Sequence, residues 1–160
     1  MTPITIRPAD EFVERIALQW EEDGLPRIAG RIFGHLLLQP DACSLDELAG
    51  ALAVSKASVS VDARRLEQIG LVERVGRPGD RRDYYTISPH VLTRVLTRRL
   101  DGMRRLHDTI TAARKVPVSA PAVRNRLATF EREHLRILRA LESAVDELRR
   151  DEAASPDRDP

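Results

Sequence analysis

Residues 54–88 read VSKASVSVDARRLEQIGLVERVGRPGDRRDYYTIS, and this stretch decides the fold because it predicts one helix followed by a two-stranded hairpin. Ser55 stands just before the helix, where its hydroxyl can accept hydrogen bonds from the first-turn N–H groups. Gly70 ends the helix, where a residue of positive φ is usual. The apolar residues of the helix recur at spacings of three and four, which places them on one face toward a core. They are Val59, Ala63, Leu66 and Ile69.

The hairpin after this helix has a basic tip. Two strand-like runs, residues 71–75 and 83–87, flank residues 76–82, which have the composition of a loop. That predicted loop contains Arg77, Arg81 and Arg82 within six residues. Because folding alone does not require so many arginines in one loop, we expect the loop to bind an anionic partner.

A shorter helix precedes the long one. Ser44 and Glu47 have the spacing of a capping box, and the apolar series Leu45, Leu48, Ala49 and Leu52 follows. The helix ends near Ala53, which leaves only a tight turn before the next helix. The pair with its hairpin therefore predicts a winged helix-turn-helix that reads DNA.

The expected DNA contacts follow from this arrangement. A recognition helix in the major groove presents its N-terminal outward residues to base edges. Here those residues are Ser55, Lys56, Ser58, Ser60 and Arg64. At the wing, Arg77, Arg81 and Arg82 are expected to contact phosphates or the adjacent minor groove, and Asp80 to orient one of them.

Four segments resemble the MarR family of transcriptional regulators. They are SKASVS at 55–60, RRLE at 64–67, GLV at 70–72 and PGDRRDYY at 78–85. The stretch GLPRIAGRIFG at 24–34 is similar to the second-helix signature of the GbsR-like branch. The resemblance implies a homodimeric repressor or activator of transcription that binds a pseudo-palindromic operator and whose DNA affinity is changed by a small molecule; of the two, repression is favoured.

Composition fits one mainly helical domain with a small β-hairpin wing. The chain has 160 residues, of which 42% are hydrophobic, 32% charged and only 4% aromatic. Its net charge of +1 argues against a nonspecific polycation, so DNA-binding charge must be local. Residues 54–86 hold seven Lys or Arg and five Asp or Glu, a local net charge of +2.

The sequence lacks the patterns typical of disulfides, membrane spans, metal sites and enzyme active sites. The single cysteine excludes an internal disulfide, and neither a membrane span nor a signal-peptide layout is present, so we expect a cytoplasmic protein. The four histidines have no metal-binding spacing, so we expect no metal and no cofactor. The sequence has no phosphate loop and no Gly-x-Ser-x-Gly motif, and we expect no enzymatic activity.

The remaining helices complete the predicted organisation. Helices are expected at 10–22, at 26–38, from the Ser88-Pro89 cap to Lys115, and at 120–151; Gly30 and Gly34 should let another backbone come close. The expected regions are an N-terminal arm and first helix for dimerisation (1–24), the winged helix-turn-helix (25–87), two long dimerisation helices (88–151) and a flexible acidic tail (152–160).

The last predicted helix carries an apolar seam, which is typical of a helix that packs against a partner helix. Because the small winged domain cannot cover two long helices, we expect a second subunit to cover them. The alternative is that the two helices close on each other as a monomeric hairpin. The seam consists of Val123, Leu127, Phe130, His134, Ile137, Leu141, Ala144 and Leu148.

The effector site rests on the resemblance, which implies a ligand crevice between the winged domain and the dimerisation helices. Trp20 and Phe33 are its candidate lining residues and Phe12 is a weaker one, although each could be plain core. So few aromatic residues argue against an aromatic cage for a quaternary ammonium ligand. Two alternatives stay open: a helical interaction protein without specific DNA binding, and a redox-sensing regulator that uses Cys43.

Overall fold

The computed structural model describes residues 7–117 and 120–154, and the chain divides into two compact units between Val91 and Leu92. The described part is mostly helical with one small antiparallel sheet, which confirms the expected fold class. The elements are α1 (Pro8–Glu22), α2 (Arg27–Leu36), β1 (Cys43–Ser44), α3 (Leu45–Leu52), α4 (Lys56–Ile69), β2 (Val72–Arg77), β3 (Asp80–Ile87), α5 (Val91–Ala112), a 3₁₀ turn (Ala113–Lys115) and α6 (Pro121–Ala154).

Helices α1 and α2 lie close together because two glycines of α2 face α1. A Cβ atom placed on Gly30 would lie 2.8 Å from the Cα of Ala17, and Gly34 approaches α1 in a similar way. The expected close approach at these glycines is therefore confirmed. An ion pair between Arg31 Nε and Glu14 Oε1, 2.6 Å apart, joins the same two helices.

Helices α3 and α4 begin where their capping residues predict. Ser44 Oγ accepts from the N–H of Glu47 at 3.3 Å, and Glu47 Oε2 accepts from the N–H of Ser44 at 2.7 Å. Ser55 Oγ accepts from the N–H of Ser58 at 3.2 Å, and Gly70 ends α4 with a φ of 85°. A cap of this kind stabilises a helix by about 1 kcal/mol. Both expected helix starts and the glycine end are confirmed.

The core of the first unit forms around α4. Val59, Ala63 and Leu66 are buried as expected, and Ile69 is half-buried at the edge. Residues from α1, α2, α3 and both long strands complete this core, so the position of α4 is fixed from several sides. They are Val13, Ala29, Ile32, Leu36, Leu48, Leu52, Val72 and Tyr85.

The sheet has three strands in the order β1, β3, β2, whereas the sequence predicts two. Strand β1 contains only Cys43 and Ser44, which pair with Tyr85 and Tyr84 of β3. This third strand was not predicted from the sequence. So short a strand shows no alternation that a sequence pattern could reveal, because its pairing is decided by tertiary contact.

The hairpin turn is also shorter than expected. Strand β2 runs to Arg77 and β3 begins at Asp80, so Pro78 and Gly79 alone form the turn. Gly79 has a φ of 79°, which glycine adopts without steric cost. The predicted loop at 76–82 is wrong because strand pairing continues almost to the tip, with an irregularity near the end of β2.

The second unit is an antiparallel pair formed by α5 and α6. Its buried centre is Leu100, Leu138 and Val145, with half-buried Leu96, Met103, Leu135 and Leu141 around it. Two ion pairs also join the helices: Arg104 Nη2 lies 2.9 Å from Glu142 Oε1, and Arg114 Nη2 lies 2.7 Å from Glu131 Oε2.

The start of α5 differs from the prediction. Ser88 does not cap the helix: its Oγ is buried and has no hydrogen-bond partner in the described part of the chain. Its N–H donates to the carbonyl of Leu71 at 3.2 Å, so Ser88 belongs to the end of the hairpin. His90 has a φ of 52°, a left-handed conformation that interrupts any helix before Val91.

The far end of α6 also differs. The helix continues to Ala154, so residues 152–154, expected in the acidic tail, are helical. The rest of that predicted tail, like the start of the predicted N-terminal arm, lies outside the described residues. None of the described helices has the length and apolar character needed to cross a bilayer.

Candidate nucleic-acid interface

The outward side of α4 is defined by the buried stripe behind it. Opposite Val59 and Leu66 lies a row of exposed residues at spacings of four and three, which we call the outward stripe: Ala57, Val61, Arg64 and Gln68. Lys56 and Arg65 are exposed beside it. The helix therefore presents a small apolar centre with cations around it.

The serines expected to read bases lie at the margin of this surface. Ser58 and Ser60 are half-buried. The hydroxyls of Ser55 and Ser58 are 2.8 Å apart and form part of the cap. Sequence reasoning included these serines among the outward residues and did not include Ala57 and Val61. The period of the buried stripe could have shown that these two residues lie opposite it.

Lys56 is held by a carboxylate of the neighbouring helix. Its Nζ lies 2.9 Å from Asp46 of α3, and both side chains are more than half exposed. An exposed ion pair of this kind contributes at most about 1 kcal/mol, so a phosphate can replace Asp46 at small cost. The pair positions the Lys56 ammonium at the start of α4.

The wing, which we define as β2, β3 and their turn, has an organised ion pair at its tip. Arg82 donates to both carboxylate oxygens of Asp80, and the Tyr84 hydroxyl donates to the same carboxylate at 2.7 Å. These bonds hold the pKa of Asp80 far below its ordinary value. Asp80 thus orients Arg82, as expected.

The other two wing arginines differ in how they are held. The Arg77 guanidinium lies 4.0 Å from the Tyr84 ring centre and donates to the carbonyl of Ala42 at 2.9 Å. Arg81 is exposed, and no ion pair or hydrogen bond engages its guanidinium within residues 7–117 and 120–154. Of the three, Arg81 is the one whose charge is available without breaking a contact.

The two acidic residues of α4, Asp62 and Glu67, lie away from its outward stripe. Asp62 is buried, and the loss of water raises the pKa of its carboxyl; Arg65, with Nε at 3.9 Å, acts in the opposite direction. Glu67 lies 3.8 Å from Arg74 of β2. Neither carboxylate belongs to the outward stripe.

Cys43 lacks the setting of a reactive thiol. Burial raises its pKa and Glu47 acts in the same direction, Arg77 acts against them, and Asp41 adds a smaller rise. Since the thiolate is the reactive form, this environment argues against the redox alternative. Within the described residues, no cluster of three or more His, Cys, Asp or Glu is placed to hold a metal ion.

The expected effector residues are only partly brought together. The rings of Trp20 and Phe33 stack with centres 5.1 Å apart, and both are half-buried against the core of the first unit. Phe12 is 39% exposed and lines a separate groove along α1.

The predicted seam of α6 divides into two sides. His134 is buried within the chain, where its ring stacks on His107 of α5, while Phe130 and Ile137 are 52% and 59% exposed. The remaining predicted members, Val123, Leu127, Leu141, Ala144 and Leu148, are half-buried. Sequence reasoning missed the buried Leu138 and Val145, which belong to a neighbouring apolar stripe.

Comparison with known proteins agrees with this geometry. The sequence profile of the MarR family matches residues 23–83. The HTH-type transcriptional regulator MmpR5 of Mycobacterium tuberculosis is 38% identical over 117 residues, which cover 72% of this chain and 71% of that protein. A solved structure of a transcriptional regulator is similar with a TM-score of 0.78 and 31% identity, over 90% of this chain and 99% of the other.

A more distant relative is the HTH-type transcriptional repressor OpcR of Bacillus subtilis, 28% identical over 78 residues that cover 49% of this chain and 42% of that protein. The chain belongs to the MarR family. It is a DNA-binding transcriptional regulator with a winged helix-turn-helix in its first unit.

Proposed function

We propose that the protein is a homodimeric repressor that binds a pseudo-palindromic operator and whose DNA affinity is changed by a small-molecule effector. In this proposal α4 lies in the major groove, and the wing contacts phosphates or the adjacent minor groove. The name of the relative OpcR supports repression over activation.

One observation carries the DNA-contacting part of the proposal: cations lie in and beside the outward stripe of α4, and no carboxylate belongs to that stripe. Lys56, Arg64 and Arg65 are exposed, whereas Asp62 is buried and Glu67 lies beside Arg74. This local separation matters because residues 1–91 hold 11 Lys or Arg and 14 Asp or Glu, a net charge of −3. DNA affinity must then come from short-range contacts.

The second subunit is proposed from the exposed side of α6. Phe130 and Ile137 lie seven residues apart, two helical turns, and both remain more than half exposed in one chain. Apolar residues with this spacing are typical of a helix that packs on a partner helix. We therefore assign dimerisation to residues 88–151. The family resemblance adds residues 1–24 to the dimerisation region, and DNA contact is assigned to residues 25–87.

For the effector we retain Trp20 and Phe33, with Phe12 as the weaker candidate. The stacked pair offers an aromatic face at the edge of the first unit's core, which suits a flat apolar molecule. Titration of the tryptophan fluorescence with candidate ligands tests this part, because Trp20 is the one tryptophan of the chain. A ligand that releases DNA and leaves this fluorescence unchanged would place the effector site elsewhere.

Three finer assignments belong to the same proposal. The stretch at 24–34 supports the GbsR-like branch of the family. A regulator of chromosomal genes works where the chromosome is, so we place the protein in the cytoplasm. We assign it no catalytic activity, since regulators of this family are generally not enzymes.

A mobility-shift assay with the DNA upstream of the protein's own gene tests the proposal, with the affinity measured as a function of salt. If each subunit uses Lys56 and two or three arginines, the dimer neutralises roughly six to eight phosphates, and the log–log slope should be about −5 to −7. Lys56→Ala should make that slope shallower by about 2 for the dimer.

A matched control is Arg136→Ala, which removes an exposed cation of α6 outside the proposed DNA contacts. It should leave the salt slope unchanged. A wild-type slope near zero, or equal changes for Lys56→Ala and Arg136→Ala, would contradict the assignment of DNA contact to α4.

A further inference from the structure

An exposed valine occupies the middle of the outward stripe. Val61 is 59% exposed, more than any other large apolar residue identified as exposed in the first unit. It lies one turn after Ala57 and one turn before Arg64, on the side of α4 opposite the core. Val61 is therefore at the centre of the side that a recognition helix turns toward DNA.

The fold gives no reason for a valine at this position. The core contacts of α4 are made by the opposite side of the helix, and valine is a weaker helix former than the straight-chain residues that usually occupy exposed positions. An apolar protein partner is also a poor match, because Arg64 and Arg65 are exposed one turn away from Val61. A surface with an apolar centre and a cationic margin matches a duplex groove between two phosphate backbones.

We propose that Val61 determines operator specificity by contacting the 5-methyl group of a thymine in the major groove of each half-site. The inference rests on the proposed function, in which α4 occupies that groove. Thymine is the one standard base that presents an apolar group there; the other groups on the base edges are hydrogen-bond donors and acceptors. Ala57, with its small side chain, lets the helix approach closely enough for this contact.

The test uses an operator obtained by selection from randomised duplexes. Each thymine is replaced singly by deoxyuridine, which pairs in the same way and lacks only the methyl group. For the full-length wild type, one thymine per half-site should be sensitive, with a loss of affinity of roughly fourfold for each methyl removed. Replacement in both half-sites should cost about 15-fold, since distant sites act additively.

Variants of Val61 assign the effect. Val61→Ala should bind the thymine operator more weakly than the wild type does, by a similar factor. The variant should bind the thymine and the deoxyuridine operators equally well. Val61→Thr keeps one methyl group and should keep most of the sensitivity. Val116→Ala is the matched control, because Val116 is 56% exposed in the second unit, and this variant should respond to deoxyuridine as the wild type does.

Two results would overturn the inference while leaving DNA binding intact. One is specific binding whose affinity does not change when any thymine is replaced by deoxyuridine. The other is a loss of affinity on that replacement that is the same for Val61→Ala as for the wild type. Absence of any specific DNA binding by the wild type would overturn the proposed function together with the inference.

Discussion

Helices α4 and α6 both carry an apolar stripe, but only the first is fully covered within its own chain. The buried side of α4 packs against elements of the first unit, and its outward side is cationic around Val61. Helix α6 buries Leu138 and Val145 against α5 and leaves Phe130 and Ile137 exposed on another side. The difference matches the partners proposed above: a polyanion for α4 and an apolar surface of a second subunit for α6.

The largest effect is expected from disrupting the proposed subunit interface at α6. Phe130→Asp combined with Ile137→Asp places charges on the exposed side while leaving the buried centre of the second unit intact. We expect a folded monomer whose operator affinity falls on the order of 100-fold, because the second half-site no longer binds as a linked event. Sedimentation and circular dichroism measure assembly and folding separately.

Leu38→Asp is the control, since Leu38 is also an exposed apolar residue, at 46%, but lies in the first unit. It should remain a dimer. If the double variant sediments as a well-folded dimer, the assignment of Phe130 and Ile137 to the subunit interface is wrong.

The next prediction concerns the contact between α1 and α2, which lies within the first unit of a single chain. Gly30→Ala places a Cβ 2.8 Å from the Ala17 backbone, which must shift, so we expect a loss of about 1–3 kcal/mol in the free energy of unfolding. Gly50→Ala adds a methyl group where no atom lies within 4 Å and should instead stabilise helix α3 by about 0.5–1 kcal/mol.

Denaturant unfolding at several protein concentrations measures both glycine variants. The effect of Gly30→Ala should be independent of concentration, unlike that of the α6 variant, because the contact lies within one chain. Equal effects of the two glycine substitutions would show that α1 and α2 do not need their close approach.

A smaller effect is expected at the wing. Arg81→Ala should weaken binding to all duplexes by a similar factor, roughly tenfold for the dimer, and make the salt slope shallower by about 1 per subunit. Because no ion pair or hydrogen bond engages the Arg81 guanidinium in the described part of the chain, its removal should not change thermal stability. Arg82→Ala should weaken binding in the same sequence-independent manner, but it also releases Asp80 and Tyr84 and should lower thermal stability. A change in base preference at major-groove positions for either variant would contradict a backbone role.

The smallest effect is a pH dependence at Asp62. Burial raises the pKa of this carboxyl in the folded protein, so the folded state binds the proton more tightly than the unfolded state does. The wild type should therefore lose stability as pH rises from the ordinary carboxyl pKa, about 4, through the raised value. Asp62→Asn should be the more stable protein at pH 7 and should lose this advantage at pH 3, as measured by urea unfolding.

The features that could be predicted from the sequence are those decided by neighbouring residues. The capping residues Ser44 and Ser55 and the terminal Gly70 act within one turn of chain, and all three occur where the pattern places them. Gly30 was predicted for a related reason, since glycines four residues apart on one helix mark a close backbone approach.

The features that could not be predicted depend on distant parts of the chain. Strand β1 exists because Cys43 and Ser44 meet β3, and Ser88 is buried because its backbone bonds to Leu71. At the site, the hydroxyls of Ser58 and Ser60 suggested base contact, whereas the position of the core places Val61 at the centre of the exposed side. Residue chemistry alone does not decide which side of a helix is exposed.

The central claim is that a homodimer reads DNA with the outward side of α4, and a binding selection from randomised duplexes tests it most directly. The wild type should return a two-fold symmetric motif whose half-sites lie about one helical turn apart. Substitution of Arg64 or Val61 should change base preferences at symmetric positions, while Arg81→Ala should return the wild-type motif with lower affinity. A motif without symmetry, or one that Arg81→Ala rewrites at major-groove positions while the α4 variants leave it unchanged, would contradict the claim.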